Sequence, residues 1–280
     1  MRHGLRVLRT STWLGWQVEA NWADPLLFFG LAVAKPLATT LILYLMVRVV
    51  APEQLSSGLF LQLFLGNVFF LYVAEMLVGL SWAIFRDRED YETLKYIYLA
   101  PVHFLPYLLG RGMTRLLTAT VGVTVSLAFG RLALGLPIGA SAAAWGTALV
   151  ATLLGLVAIL WLGMLLAGIS LIVSRQSMNL NEGLTGIFYL LCGVIFPLEV
   201  LPRWAQAISL GLPFTYWLEL LRRTLTGRGF VVSLAPRTDG ELWGILLAST
   251  VLFALAGWGV FTACERVARA NGLIDRKTNY

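Results

Sequence analysis

Charge is scarce in this sequence. Of its 280 residues only 13% are Asp, Glu, Lys or Arg, about half the share that a soluble domain carries, and so small a polar complement excludes a water-soluble globule. Lysine is rarer still, with Lys35, Lys95 and Lys277 as the three, and none of them follows a glycine. A P-loop needs a Gly-Lys step to hold nucleotide phosphates, so uphill work must draw on another chain or on an ion gradient. The two cysteines, Cys192 and Cys264, both sit in apolar stretches, where their spacing makes them packing residues and not a redox pair. His3 and His103 lie far apart, with no Cys, Asp or Glu at ligand spacing beside them, so no metal site is expected. There is no Gly-x-Ser-x-Gly elbow and no His-Glu-x-x-His pair, which leaves intramembrane hydrolysis without residues to run it. The chain is not expected to be an enzyme, to hold a cofactor or to bind nucleic acid.

What the sequence has is apolar length. Hydrophobic residues make up 58% of the chain and the mean hydropathy is +0.78. A hydrocarbon core needs about 20 apolar residues per helix, and six stretches qualify: Leu26–Val50, Leu59–Phe85, Leu108–Ala133, Trp145–Val173, Leu184–Leu201 and Leu242–Cys264. The expected fold is an all-α integral membrane protein, with a helix over 1–24, a membrane domain over 25–265 and a tail over 266–280. Arg2, Arg6 and Arg9 precede the first span, Arg86, Arg88 and Lys95 follow the second, Arg175 follows the fourth, and Arg266, Arg269, Arg276 and Lys277 follow the last. Basic residues mark cytoplasmic loops, so both termini are expected inside. The loop after the fifth span, with Arg203, Arg222, Arg223, Arg228 and Arg237, breaks that rule, and the orientation rests on the first helix. No cleavable signal peptide is visible at the start. Trp13, Trp16 and Trp22 suit a helix lying along the headgroups, and Asp24-Pro25 would end it.

Two regions depart from plain spans. Pro197, Pro202 and Pro213 interrupt the apolar run from Leu184 to Leu225; non-helical backbone at membrane depth survives only where protein or an aqueous cavity satisfies it, a habit of transport proteins. The second is the connection Arg86–Pro101, a charged half followed by an amphipathic one. Glu89, Asp90 and Glu92 would gather at a helix start, Leu94, Ile97 and Tyr98 would form one apolar face, and Pro101 would end the helix. The segment is either a surface helix or a lever that docks into a partner's groove.

Glu89, Thr93-Leu94, Ile97 and Pro101 stand in a spacing that resembles the coupling helix of ABC-2-type transporter permeases, Glu-x-x-x-Thr-Leu-x-x-Leu-x-x-x-Pro. Tyr91 sits where that family often has glycine, and Ile97 replaces a leucine. The stretch with Pro197, Glu199, Pro202 and Trp204, followed by Pro213, Tyr216 and Glu219, is similar to the family's region after the fifth span, where two short helices re-enter the outer leaflet. The resemblance implies six transmembrane helices with an N-terminal interfacial helix, a coupling helix over about 87–101 and a re-entrant region over about 197–225. It further implies a prokaryotic cytoplasmic (inner) membrane, a second permease subunit, identical or homologous, and two cytoplasmic ABC ATPase subunits that bind ATP and Mg. The cargo would be amphipathic, lipid-like or drug-like and would leave the cytoplasm, or else a lipid-linked polysaccharide. An ion-driven carrier is the rival class, and it would need inverted repeats that are not visible.

Charges inside spans are costly and must find partners or water. Lys35 and Glu75 both fall roughly 14–15 Å deep at 1.5 Å per residue, so they can meet, and Arg111 and Arg115, one turn apart, offer Glu75 further partners. This cluster either fixes helix packing or places Glu75 at a cytoplasmic entrance for a cationic or polar group. Gly155, Gly163, Ala167 and Gly168, then Gly183, Gly186 and Gly193, mark faces fit for close approach. Phe69, Phe70, Tyr72 and Tyr189 are candidates for an aromatic lining.

Overall fold

The computed structural model describes residues 2–20, 25–50, 52–55, 58–139, 141–173 and 177–274, so Trp22, Asp24, Arg175, Arg276 and Lys277 lie outside the described residues. Among those described, all regular structure is helical. In chain order the α-helices are α1 (Arg2–Ala20), α2 (Pro25–Val50), α3 (Leu59–Phe85), α4 (Leu94–Leu99), α5 (Phe104–Leu132), α6 (Ala142–Ile172), α7 (Ser177–Leu191), α8 (Arg203–Gly211), α9 (Pro213–Thr226) and α10 (Asp239–Ala270). Five are long and apolar enough to cross a membrane: α2 from Ala32, α3 with its extension to Asp90, α5, α6 and α10.

Burial sorts these helices. The most buried is α3, which packs against α5, α6, α7 and α9 and carries much of the core, from Phe60 and Phe64 to Met76, Leu77 and Leu80. The least buried is α2, which exposes Leu41, Ile42, Leu45, Met46, Val49 and Val50. A helix apolar on all sides with one side open suits lipid. The pairing of α6 with α10 closes the other flank. The first helix is no loose appendage: α1 lies along α5, where Gly15 and Gly110 let the backbones approach and Thr114 Oγ1 donates to the Thr12 carbonyl at 2.9 Å.

The expected fifth span needs correction. Its helix, α7, begins at Ser177, seven residues before the expected Leu184, and stops at Leu191, ten before Leu201. Fifteen residues at 1.5 Å each reach about 22 Å, short of a hydrocarbon core of about 30 Å. The chain then turns at Gly193, whose φ of +66° favours glycine, and runs irregularly to Pro197. Two short helices follow. Pro202 precedes α8, Pro213 opens α9, and Gly227 at φ +71° closes α9, the sequence punctuation that such helices call for. The last span begins on a capping box, in which Thr238 Oγ1 accepts from the Glu241 amide at 3.3 Å and Glu241 accepts from the Thr238 amide at 3.1 Å.

Candidate functional site

The connection after α3 is not one helix over 87–101. The α3 backbone runs on without a break into a π-type turn, Arg86–Asp90, and regular structure stops at Tyr91–Thr93, where Glu92 adopts φ +53°. Only then does the six-residue α4 form, ending before Pro101. Glu89 and Asp90 therefore close a helix where they were expected to open one, and the macrodipole does not favour them there. The reason is tertiary. Arg88 turns inward, pairs with Glu89 at 3.3 Å and donates to the carbonyls of Ser170 and Leu171 at 3.4 Å, in the last turn of α6, where a helix has acceptors to spare. Asp87 is buried too, accepting from Tyr107 Oη at 2.7 Å with the Arg111 guanidinium 3.8 Å away. Three spans, α3, α5 and α6, are thus tied at one point beside α4.

The face that α4 offers also differs from expectation. Leu94 is 1% exposed and belongs to the core. Tyr98 stacks on Phe104 at 4.7 Å and lies under the Arg269 guanidinium, and burial pushes its phenol pKa up. Ile97 is half-buried, and Thr93 Oγ1 donates to the Asp87 carbonyl at 3.4 Å. The side open to a partner consists of Tyr91, Glu92, Tyr96, Leu99 and Pro101, with Leu99 80% exposed. Tyr96 and Leu99 were not singled out in the sequence, where i, i+3 spacing marks them as the opposite face of a helix this short.

The intramembrane charges form a chain, with one member the sequence did not suggest. Lys35 Nζ stands 3.8 Å from Glu75, Glu75 stands 3.5 Å from Arg115, and Arg115 Nε reaches Glu19 on α1 at 2.9 Å. Burial raises the Glu19 carboxyl pKa against the pull of Arg115. Arg111 goes to Asp87 and not to Glu75. Beside this chain, sharing Lys35 with it, a cavity of about 290 Å³ opens between α2, α3, α5 and α7, bordered by Lys35, Thr39, Asn67, Phe70, Thr185 and Tyr189. The expected aromatic lining divides. Phe70 and Tyr189 meet at 4.9 Å on the cavity wall, whereas Phe69 and Tyr72 pack edge-on against the Trp217 ring.

In the interrupted region the buried charged groups are Glu219 and Arg222. Arg222, 1% exposed, donates to the carbonyls of Gln62 at 3.1 Å and Gly193 at 2.8 Å and stacks over Phe230. It satisfies the irregular turn that ends α7. Glu219 accepts from Arg223 Nε and from the amides of Phe230 and Val231, all at 3.1–3.2 Å. Glu199 accepts from the Ser233 amide at 2.8 Å, and Tyr216 Oη donates to the Leu210 carbonyl at 2.7 Å. Pro197 is half-buried, while Pro202 and Trp204 are exposed. Gly155 admits the Trp217 indole, Gly163 lies against Met76 and Leu80, and Gly168 lies against Phe261, but Gly183 and Gly186 have no neighbour within 4 Å of an added Cβ.

Comparison with known proteins agrees with the motif reading. Residues 7–226 match the family model described as ABC-2 type transporter. The curated relatives include the probable multidrug ABC transporter permease YbhR of Escherichia coli K12 and its counterpart in Escherichia coli O157:H7, each 23% identical over 197 residues, which cover 68% of this chain. The chain spans about half the length of these relatives, 48% of each. With the match running from the first helix through the interrupted region, and five helices of spanning length around it, this chain belongs to the ABC-2 type transporter family as a multi-pass membrane protein.

Proposed function

We propose that this chain is the permease subunit of an ATP-driven exporter, paired with a second permease and driven by two copies of a separate ABC ATPase subunit that holds ATP and Mg. It sits in the cytoplasmic membrane of a prokaryote with both termini inside, and α8 and α9 re-enter the outer leaflet. The observation that carries the reading is the joint below α3. A push on the exposed edge of α4 reaches α3 through the short link 91–93 and the turn Arg86–Asp90, α5 through Asp87 with Tyr107 and Arg111, and α6 through Arg88. Three spans then move as one body, which is what a coupling element must achieve. Arg222 and Glu219 hold the interrupted region in place, so its backbone is satisfied by protein, as an irregular segment at membrane depth requires. A family relative named as a multidrug permease supports an amphipathic, lipid-like or drug-like cargo.

The test is Leu99→Asp in vesicles that contain the chain and its ATPase. Leu99 is exposed, so the variant should fold and insert normally while ATPase co-purification and ATP-driven flux fall by about tenfold or more, as for the loss of an interface anchor. Undiminished flux would defeat the coupling role. Full transport by the isolated chain on an ion gradient would replace the reading with an ion-driven carrier.

A further inference from the structure

The cavity beside Lys35 keeps free donors on Asn67 and Lys35 and has no carboxylate among its lining residues. Three of its hydroxyls have their protons committed: Thr39 donates to the Lys35 carbonyl at 2.9 Å, Thr185 to the Asn181 carbonyl at 2.8 Å, and Tyr189 to Asn67 Oδ1 at 2.8 Å. With its oxygen engaged, Asn67 has its amide N–H groups left to give, and they meet no protein acceptor among the described residues. Thr40 and Ser126 add hydroxyls that either give or accept. Lys35 adds three ammonium donors. Its 3.8 Å separation from Glu75 is too long for a hydrogen bond, and its side chain is 77% exposed against 21% for Glu75. Glu75 is held from its far side by Arg115. The ion that a visitor meets is therefore the cation, although the sequence pointed to the carboxylate.

A lysine within a helix long and apolar enough to span is costly unless a cavity or an anion receives it. We propose that this cavity binds the anionic head of a small amphiphile, a carboxylate, sulfate or phosphate, with Lys35 and Asn67 as its donors and Phe70 with Leu71 as the apolar rest for its body. The cavity's 290 Å³ lies at the lower limit of small-molecule sites, so it takes the head and the first carbons while a longer tail leaves between the helices. This assignment rests on the permease reading and narrows its cargo to acidic amphiphiles.

The experiment uses the full chain in phosphatidylcholine nanodiscs and two diazirine-bearing twelve-carbon probes, one a carboxylate and one a quaternary ammonium, with labelled peptides mapped by mass spectrometry. The carboxylate should label peptides bearing Lys35, Asn67 and Tyr189 about tenfold more than the ammonium. Lys35→Met should bring the two probes to parity, Lys35→Arg should keep the preference, and Asn67→Leu should weaken carboxylate labelling more than ammonium labelling. Equal labelling of the wild type by both probes, or a preference that survives Lys35→Met, overturns the assignment. Labelling needs no ATPase, so a chain that selects the carboxylate yet moves nothing with its ATPase would sink the permease reading alone.

Discussion

Replacing Glu219 by Ala should loosen the whole segment that joins α9 to α10. The two carboxylate oxygens of this fully buried side chain accept from the backbone amides of Phe230 and Val231, and both of those residues are themselves buried. Removing the acceptor leaves two buried N–H groups unsatisfied, at about 1–3 kcal/mol each, so the expected loss is about 2–6 kcal/mol. Arg223 adds little to the sum, because it keeps acceptors in the carbonyls of Leu234 and Arg237 and in Asp239. Glu219→Gln keeps one oxygen at nearly the same place and should lose about 1–2 kcal/mol, the net worth of one hydrogen bond. Unfolding by a graded detergent titration measures the difference. Limited proteolysis after Arg228 gives a local readout, since only an unclasped segment should be cut faster. An alanine variant within about 0.5 kcal/mol of the parent, the scatter of an ordinary surface change, would refute the claim that this carboxylate holds the segment.

The remaining predictions concern packing. Leu94→Ala should lower stability by about 2–5 kcal/mol, the usual result for a buried leucine, while Leu99→Ala on the same short helix should stay within about 0.5 kcal/mol; equal effects in the detergent titration would mean that the two faces have been misplaced. Gly155→Ala sets a methyl group against the Trp217 indole and should cost about 1–3 kcal/mol as an overpacked contact, whereas Gly183→Ala meets nothing within 4 Å and should be neutral or gain up to about 1 kcal/mol of helix propensity. The same unfolding curves decide both, and a harmless Gly155→Ala would deny that Trp217 seats there.

Much of the fold was legible in one dimension because bilayer physics acts on one dimension. Apolar length located α2, α3, α5, α6 and α10, and Pro213 and Thr238 marked the starts of α9 and α10 through chemistry confined to a single turn. Helical spacing and depth put Lys35 beside Glu75. Their ranking was beyond reach, because exposure depends on which neighbours crowd each side chain: Arg115 and Glu19 close one side of Glu75, and Lys35 projects into the opening. The coupling segment shows the same division. Its pattern marked Leu94, Ile97 and Tyr98 as an apolar face, and it is one, but that face turns onto Phe104 and the core because Arg88 and Asp87 fasten the preceding turn to α6 and α5.

The fifth span, too, divides between pattern and packing. Three prolines announced an interruption, yet where α7 ends depends on Arg222, which supplies the donor for the Gly193 carbonyl 29 positions away. By itself the sequence determined that this chain lives in a membrane, carries no Gly-Lys step and interrupts with prolines the apolar run that begins at Leu184. Tertiary structure alone decided which charges face each other, which face of α4 is open and where the irregular backbone finds its hydrogen bonds. Hydropathy is summed along the chain, while the pairing of a buried polar group is set by whatever distant residue the fold brings within 3 Å of it.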